Sequence, residues 1–231
     1  MFATFPIEIL GEIASHVSKD DIMTLRVVSK GFRHACMPRF GAIVSEGKAL
    51  YPTRKSVVQY VKLANDKALA PYIKSIRVVG ETFHNPTHGS DWAWSQFASE
   101  NQIKLTPANV TAFHHLINVH EYETVKALDF ILLGRYRSLM AYLFRRLTHL
   151  KSVYVQQKLG RTQHVPGWAG TKLLGKITGY HAGMNTKWVL YGDWNSYEDE
   201  TGDVIETGVS FKQDLLYAVD NCGRALDVFM E

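Results

Sequence analysis

Cysteine is scarce in this chain, which has only Cys36 and Cys222 among its 231 residues. The two cysteines lie far apart and in different segments, so the disulfide framework of a small secreted domain is not predicted. We expect free thiols in a reducing compartment. The alternative is that both residues serve only as small buried apolar side chains.

Long apolar runs are also missing. No stretch of about eighteen apolar residues occurs anywhere, and no basic and apolar leader precedes Phe5. We therefore expect neither secretion nor a membrane span, and the cytoplasm or the nucleus remains as the location.

Charge of one sign does not dominate either. The chain has 26 basic and 22 acidic residues, a net charge of +4, and the two signs alternate along it. This balance predicts neither nucleic-acid nor membrane binding, although contact with acidic protein segments stays open. With 46% hydrophobic and 12% aromatic residues, the chain can form one globular domain and a small module.

The most informative stretch runs from Phe5 to Cys36, FPIEILGEIASHVSKDDIMTLRVVSKGFRHAC. A first helix is predicted after Pro6, with an apolar stripe at Ile9, Leu10, Ile13 and Val17. Ser18 breaks this pattern, and Asp20 and Asp21 are predicted to lie at the start of a second short helix. Ser29 is predicted to begin a third helix, and Pro38 marks where that helix stops or bends. Three helices thus share roughly forty residues.

This short unit has more apolar side chains than it can bury. Domains near this size usually need a metal, disulfides or a partner for stability, and the stretch has neither paired cysteines nor a metal motif. The surplus therefore predicts a face that docks another protein, and a partner helix would fit it. The surplus side chains are Phe5, Ile7, Met23, Val27 and Phe32.

The order of residues in this stretch resembles the F-box, the motif through which substrate receptors of SCF ubiquitin ligases bind the Skp adaptor. Phe5-Pro6 stands where the family has Leu-Pro, and Val28-Ser29-Lys30 stands where it has Val-Cys/Ser-Lys. Further positions match at Glu8-Ile9-Leu10, Ile13, Asp21-Ile22 and Phe32. The departures are mild: Phe5 replaces leucine, and Phe32 stands where many relatives carry tryptophan.

The resemblance implies a substrate-recognition subunit of an SCF-type E3 ubiquitin ligase. Such a subunit binds the Skp adaptor and, through it, cullin, and its C-terminal domain holds a protein substrate. It is a non-catalytic receptor without a cofactor or metal. The residues that the resemblance assigns to adaptor binding are Phe5, Pro6, Ile9, Leu10, Ile13, Ile22, Leu25, Val28 and Phe32.

The remainder of the chain alternates helical and strand patterns. Residues 39–50 are expected to be a connector marked by glycine, Thr53 to cap a helix, and Ile73–Val79 to form a strand. Two helices are expected between Thr106 and Leu133, with Gly134 interrupting the second, and a last helix is expected from Ser210. Ser90 or Asp91 is expected to cap a shorter helix, and the acidic segment 197–203 is expected to be a turn or an exposed loop.

One short motif recurs after a helix. Ile73-Lys74-Ser75-Ile76 and Leu150-Lys151-Ser152-Val153 share an apolar-Lys-Ser-apolar core, the trace of a repeating helix–strand unit. The two strands are therefore predicted to be parallel neighbours. Over roughly two thirds of its length the chain resembles fungal F-box proteins with degenerate leucine-rich-like repeats. The predicted fold class is α/β: a three-helix F-box at 1–44, followed by a small helix–strand repeat-like domain at 45–231.

Two chemical motifs are weaker than they look. Gly170–Lys176, GTKLLGK, imitates a phosphate-binding loop, but Ile177 stands where the hydroxyl for magnesium should be, so a glycine-rich surface loop is expected. His114, His115, His120 and Glu121 lack the shared helix face that a metal site needs. We expect surface or capping histidines.

The most basic part of the chain surrounds one helical segment. Arg135, Arg137, Arg145 and Arg146 are the candidate substrate-binding residues, because guanidinium groups pair well with acidic or phosphorylated peptides; a solvated face is the alternative. A different class of function also stays open: a small enzyme or ligand-binding domain anchored to the adaptor by the F-box. Its pocket would be lined by Trp168, Tyr180, Trp188 and Trp194.

Overall fold

The computed structural model describes residues 5–47, 49–83, 90–159, 165, 170–178, 190–192, 194, 196–198, 203–206 and 208–230. The α-helices in these ranges are α1 Ile7–His16, α2 Lys19–Val28, α3 Lys30–Ala35, α4 Met37–Gly47, α5 Arg54–Asn65, α6 Ser90–Glu100, α7 Pro107–Leu132, α8 Arg135–Arg146, α9 Gly170–Thr178 and α10 Phe211–Asp220. The strands are β1 Ala49–Leu50, β2 Ser75–Val79, β3 Thr82–Phe83, β4 Ser152–Gln156, β5 Tyr191–Gly192, β6 Ser196–Glu198, β7 Val204–Glu206 and β8 Asp227–Met230. None of the described helices has the length and apolar character that crossing a bilayer requires.

The three predicted N-terminal helices are present as α1, α2 and α3. Ser18 caps α2 by accepting a hydrogen bond from the amide of Asp21 at 3.1 Å, and Ser29 caps α3 by accepting from the amide of Phe32 at 3.2 Å. Each cap satisfies an amide that has no partner within its helix. The second and third helices therefore begin where the sequence predicts.

The prediction of a connector at residues 39–50 is wrong, because most of this segment belongs to the helix α4. Pro38 is the second residue of α4, where a proline is tolerated because the missing amide would have no helical partner. Phe40 packs against both the N-terminal cluster and the main core of the chain. Helix α4 crosses position 44 and joins the two parts without a free linker.

The main sheet has four parallel strands in the order β1-β2-β4-β8. Ser75 is paired with Ser152 and Ile76 with Val153, so the two copies of the recurring motif lie side by side in register. The prediction of parallel neighbouring strands is confirmed. The two copies of the motif in the sequence therefore correspond to two paired strands.

Helices cover one face of this sheet. Helix α5 packs against α8, and α8 packs against α10, in the same order as strands β2, β4 and β8. Alternate strand residues such as Ile76 and Val153 are buried against them, while Ser75 and Ser152 on the opposite face are partly exposed. The result is an α/β layer whose other face is free of these three helices.

Two further expectations need correction. The two helices expected between Thr106 and Leu133 are one helix, α7, because no glycine or proline interrupts the chain between Pro107 and Gly134. The surface loop expected at 170–176 is the helix α9. The turn or exposed loop predicted at 197–203 stays a prediction, because residues 199–202 lie outside the described part; the strands on either side, β6 and β7, pair antiparallel.

A second apolar core lies beside the main one, and His120 is inside it. Its Nε2 donates to the carbonyl oxygen of Leu190 at 3.0 Å, and its ring meets Phe83 and Trp94 edge to face. Burial lowers the pKa of His120 to about 4, although the bond to Leu190 opposes the shift. The side chain is therefore a neutral core residue instead of the surface or capping histidine that was expected.

This buried histidine predicts a loss of stability in mild acid. An unfolded histidine titrates near pH 6.5 and the folded one near pH 4, so the unfolded state binds the extra proton between these values. Stability should be full above pH 6.5 and should fall by about 2 kcal/mol from pH 7 to pH 5. Denaturant unfolding of the wild type and of His120→Gln at both pH values checks this, because the glutamine does not titrate. An equal pH dependence in both proteins would contradict the role of His120.

Candidate functional site

The N-terminal module presents an apolar face to solvent. Phe5 is 58% exposed, Ile9 48%, Ile13 38% and Val28 63%. Ile7, Met23 and Val27 are also exposed. Single exposed apolar residues are ordinary, but seven in so short a segment are typical of a surface that another protein covers.

Two of the predicted contact residues are buried instead of exposed. Leu10 is 6% exposed and Ile22 is fully buried, Ile22 in the small cluster with Ala14 and Cys36. Leu25 and Phe32 are half-buried and Pro6 is exposed. Leu10 and Ile22 are therefore packed inside the module, while Phe5, Pro6, Ile9, Ile13 and Val28 are exposed to solvent.

Arginine side chains fix the arrangement of these helices. Arg39 donates to the carbonyl oxygen of Ala14 at 2.8 Å and to that of Ser15 at the end of α1. The guanidinium of Arg26 lies 3.3 Å from the centre of the Phe40 ring, a cation–π contact between α2 and α4. The carbonyl groups at a helix end have no helical partner, so Arg39 satisfies them.

Cys36 and Cys222 are both free and buried, as expected. Burial raises the pKa of the Cys36 thiol. The Cys36 side chain packs in the apolar cluster with Ala14 and Ile22, so it contributes to packing.

The N-terminal segment is thus a small helical module with exposed apolar side chains. Residues 2–39 match the family model of the F-box domain, so the chain carries an F-box at its N-terminus. F-box domains bind the Skp adaptor within SCF complexes. No curated protein and no solved structure matches the chain.

The four candidate substrate-binding arginines lie on α8, but they do not form one groove. Arg137 is bound to Asp214, with 2.6 Å between Nε and Oδ1. Arg146 donates to the side-chain oxygen of Asn65 at 3.0 Å, and Arg145 donates to the carbonyl of Ala141 one turn earlier in α8. Arg145 and Arg146 are exposed at the end of the helix.

Arg135 lies at the opposite end of α8 and lines a separate cavity. The four arginine side chains therefore lie in at least three different environments.

The pair of Arg137 and Asp214 is a structural contact. Asp214 is 1% exposed, and burial raises its pKa while the hydrogen bond from Arg137 opposes that shift. Removing the arginine would leave a carboxylate in the interior, which is costly. Arg137 consequently ties α8 to α10 and is committed to that role.

The other candidates give no chemical site in the described part. Trp194 is buried in the main core against Tyr136 and Phe211, so it fills the core, whereas Trp168, Tyr180 and Trp188 lie outside the described residues. Among the described residues, no group of three His, Cys, Asp or Glu side chains could hold a metal ion. His114 and His115 are exposed on α7.

The sequence did not predict two features of the structure, the strand β8 and a cavity. Strand β8 places Phe229 beside Tyr154 on the sheet face opposite α5, α8 and α10, with the centres of the stacked rings 5.1 Å apart; a short apolar run after Gly223 was the available signal. A cavity of about 500 Å³ lies between α5, α7 and α8. Its residues come from distant parts of the chain, and no local pattern announces it.

Proposed function

We propose that this chain is the substrate-receptor subunit of an SCF-type E3 ubiquitin ligase. The observation that carries the proposal is the exposure of the apolar side chains Phe5, Ile9, Ile13 and Val28 within the matched F-box. The Skp adaptor would cover these side chains and link the chain to cullin. The subunit would act in the cytoplasm or nucleus by bringing a substrate near the transfer machinery, without catalysis of its own.

We further propose that the second domain is a short arc of degenerate leucine-rich-like repeats, as in fungal F-box proteins. Two observations support this. The recurring motif pairs in register between β2 and β4, and helices α5, α8 and α10 follow the order of their strands. In such repeats each unit contacts mainly its neighbours, and the three helix–strand units have that arrangement.

The protein substrate would bind this second domain, since the apolar face of the F-box would be occupied by the adaptor. Arg145 and Arg146 are the arginines of α8 that extend into solvent at its C-terminal end. An acidic or phosphorylated peptide would pair with their guanidinium groups. The substrates themselves would be found as proteins retained both by the wild type and by a variant that does not bind the adaptor.

Charge reversal tests the assignment to α8. The double variant Arg145→Glu, Arg146→Glu should lose several-fold in substrate retention at low salt, because attraction becomes repulsion. Salt should reduce the difference, since exposed charges are screened over about 10 Å at 0.1 M. Affinity purification over a salt series measures this, with Lys67→Glu, Lys104→Glu as a control of equal charge. Equal retention by the variant and the wild type at low salt would rule out these arginines, and adaptor retention should not change.

A further inference from the structure

A cavity of about 500 Å³ opens between the start of α5, the second half of α7 and the start of α8. Its inner wall is apolar: Phe83, Ala127, Phe130 and Val165 are all nearly fully buried. Cavities of roughly 300–1,000 Å³ with such walls are the usual sites of small molecules in proteins. Size and lining together fit the apolar body of a small organic molecule.

The charged residues around the same cavity favour an anion. Arg54, Lys55, Lys126 and Arg135 line it, against the carboxylates of Glu123 and Asp129. The local net charge is therefore +2, half of the +4 that the whole chain carries. A low-dielectric wall beside a charged rim strengthens the field there.

These cations do not form a stripe on one helix. Arg54 and Lys55 begin α5, Lys126 lies on α7, and Arg135 begins α8. Lys126 has two partners on the partly exposed surface: the carboxylate of Glu123 at 3.9 Å, and the Tyr122 ring, whose centre lies 3.8 Å from Nζ. The fold thus brings cations from three helices to one apolar cavity, which a merely solvated face does not require.

We infer that this cavity binds a small organic anion, an apolar body carrying a phosphate, sulfate or carboxylate. The body lies against Phe83 and Phe130, and the anionic group lies at the rim, where Arg54 and Arg135 donate to its oxygens. A neutral molecule brings no anionic group to Arg54 and Arg135, and inorganic phosphate leaves the apolar wall empty. The inference stands apart from the proposed ligase role, because the cavity lies outside the F-box.

Isothermal titration calorimetry on the full chain tests this with 1-naphthyl phosphate, 1-naphthol and inorganic phosphate as probes. Binding of 1-naphthyl phosphate should be at least about tenfold tighter than that of either other probe. Arg135→Gln should weaken it by roughly tenfold, the usual scale for a hydrogen bond to a charged group. Lys104→Gln removes a positive charge from an exposed position before α7, away from the cavity, and should leave binding unchanged.

A second variant tests the location. Val58 is half-buried at the cavity, so Val58→Trp should fill the space without disturbing the core, leaving the unfolding temperature unchanged and abolishing binding. Absence of 1-naphthyl phosphate binding to the wild type would overturn the inference, as would equal binding by Arg135→Gln or Val58→Trp. Tighter, Arg135-dependent binding of a tyrosine-phosphorylated peptide would overturn the assignment to a free small molecule and give the cavity to a protein side chain.

Discussion

The double variant Ile9→Asp, Ile13→Asp is expected to lose binding to the Skp adaptor by at least a hundredfold. Both side chains are exposed on the same face of α1, one helical turn apart, so an apolar partner would bury two unpaired carboxylates. Each buried unpaired charge costs several kcal/mol, and central interface residues often contribute about 2 kcal/mol or more. Coexpression with the adaptor, followed by size-exclusion chromatography and calorimetry, measures the loss.

The control for this experiment is Ser15→Asp, which adds the same charge to α1 at an exposed position on another side of the helix. It should bind the adaptor almost as the wild type does. Both variants should unfold at nearly the wild-type temperature, because none of the three positions is in the core. An intact complex with Ile9→Asp, Ile13→Asp would remove the docking assignment.

Leu10→Asp would not distinguish docking from folding. The Leu10 side chain is buried, and its Cδ1 lies so close to Gly31 that a Cβ there would be 2.9 Å away. A carboxylate at this position would disrupt the packing of α1 against α3. Loss of binding by Leu10→Asp would then follow from loss of the module, so the accessible pair Ile9 and Ile13 is the sharper test.

The sequence predicted those features that are encoded locally. The serine caps of α2 and α3 depend on residues three positions apart, and the pairing of β2 with β4 left a repeated motif beside each strand. The apolar periodicity of α1 predicted a helix with a surplus of apolar side chains. It did not separate Leu10 from Ile9, because which of two adjacent apolar residues points inward depends on where α3 packs.

The features that the sequence did not predict depend on distant partners. Strand β8 exists because it pairs with β4, whose partner residues lie 75 positions earlier in the chain (Ser152 with Asp227). The cavity joins the start of α5 to α7 and α8, and no window of sequence contains all three. Arg137 looks like its neighbours in the sequence, yet its position opposite the buried Asp214 removes it from the accessible cations.

The role of Gly41 in helix α4 also depends on a distant partner. From the sequence alone, Gly41 favours a connector, because glycine weakens an isolated helix. In the structure Gly41 is buried where α4 crosses the turn at Ala70–Tyr72. A Cβ at Gly41 would lie 2.2 Å from Cβ of Tyr72 and 3.3 Å from its Cα. The glycine is therefore a requirement of close packing between the F-box side of α4 and the second domain.

Gly41→Ala is accordingly expected to destabilise the chain by about 3 kcal/mol, although alanine is the better helix former by about 1 kcal/mol. The overlap is with a Cβ atom fixed to the backbone, so a side-chain rotation cannot relieve it, and α4 must move away from the turn. Gly11→Ala is the matched control, because a Cβ there meets nothing within 4 Å, and it should leave stability unchanged or raise it. Urea unfolding of the three proteins measures both effects.

Because α4 links the two parts of the chain, the same variant should also divide its unfolding. The wild type is expected to unfold in one transition, whereas in Gly41→Ala the F-box helices should lose their structure at lower urea than the second domain. Tryptophan fluorescence reports the second domain, since all five tryptophans lie beyond residue 90, and far-UV circular dichroism reports both parts. Coincident transitions at wild-type urea concentrations would show that α4 tolerates the methyl group and that the close approach to Tyr72 does not couple the F-box to the second domain.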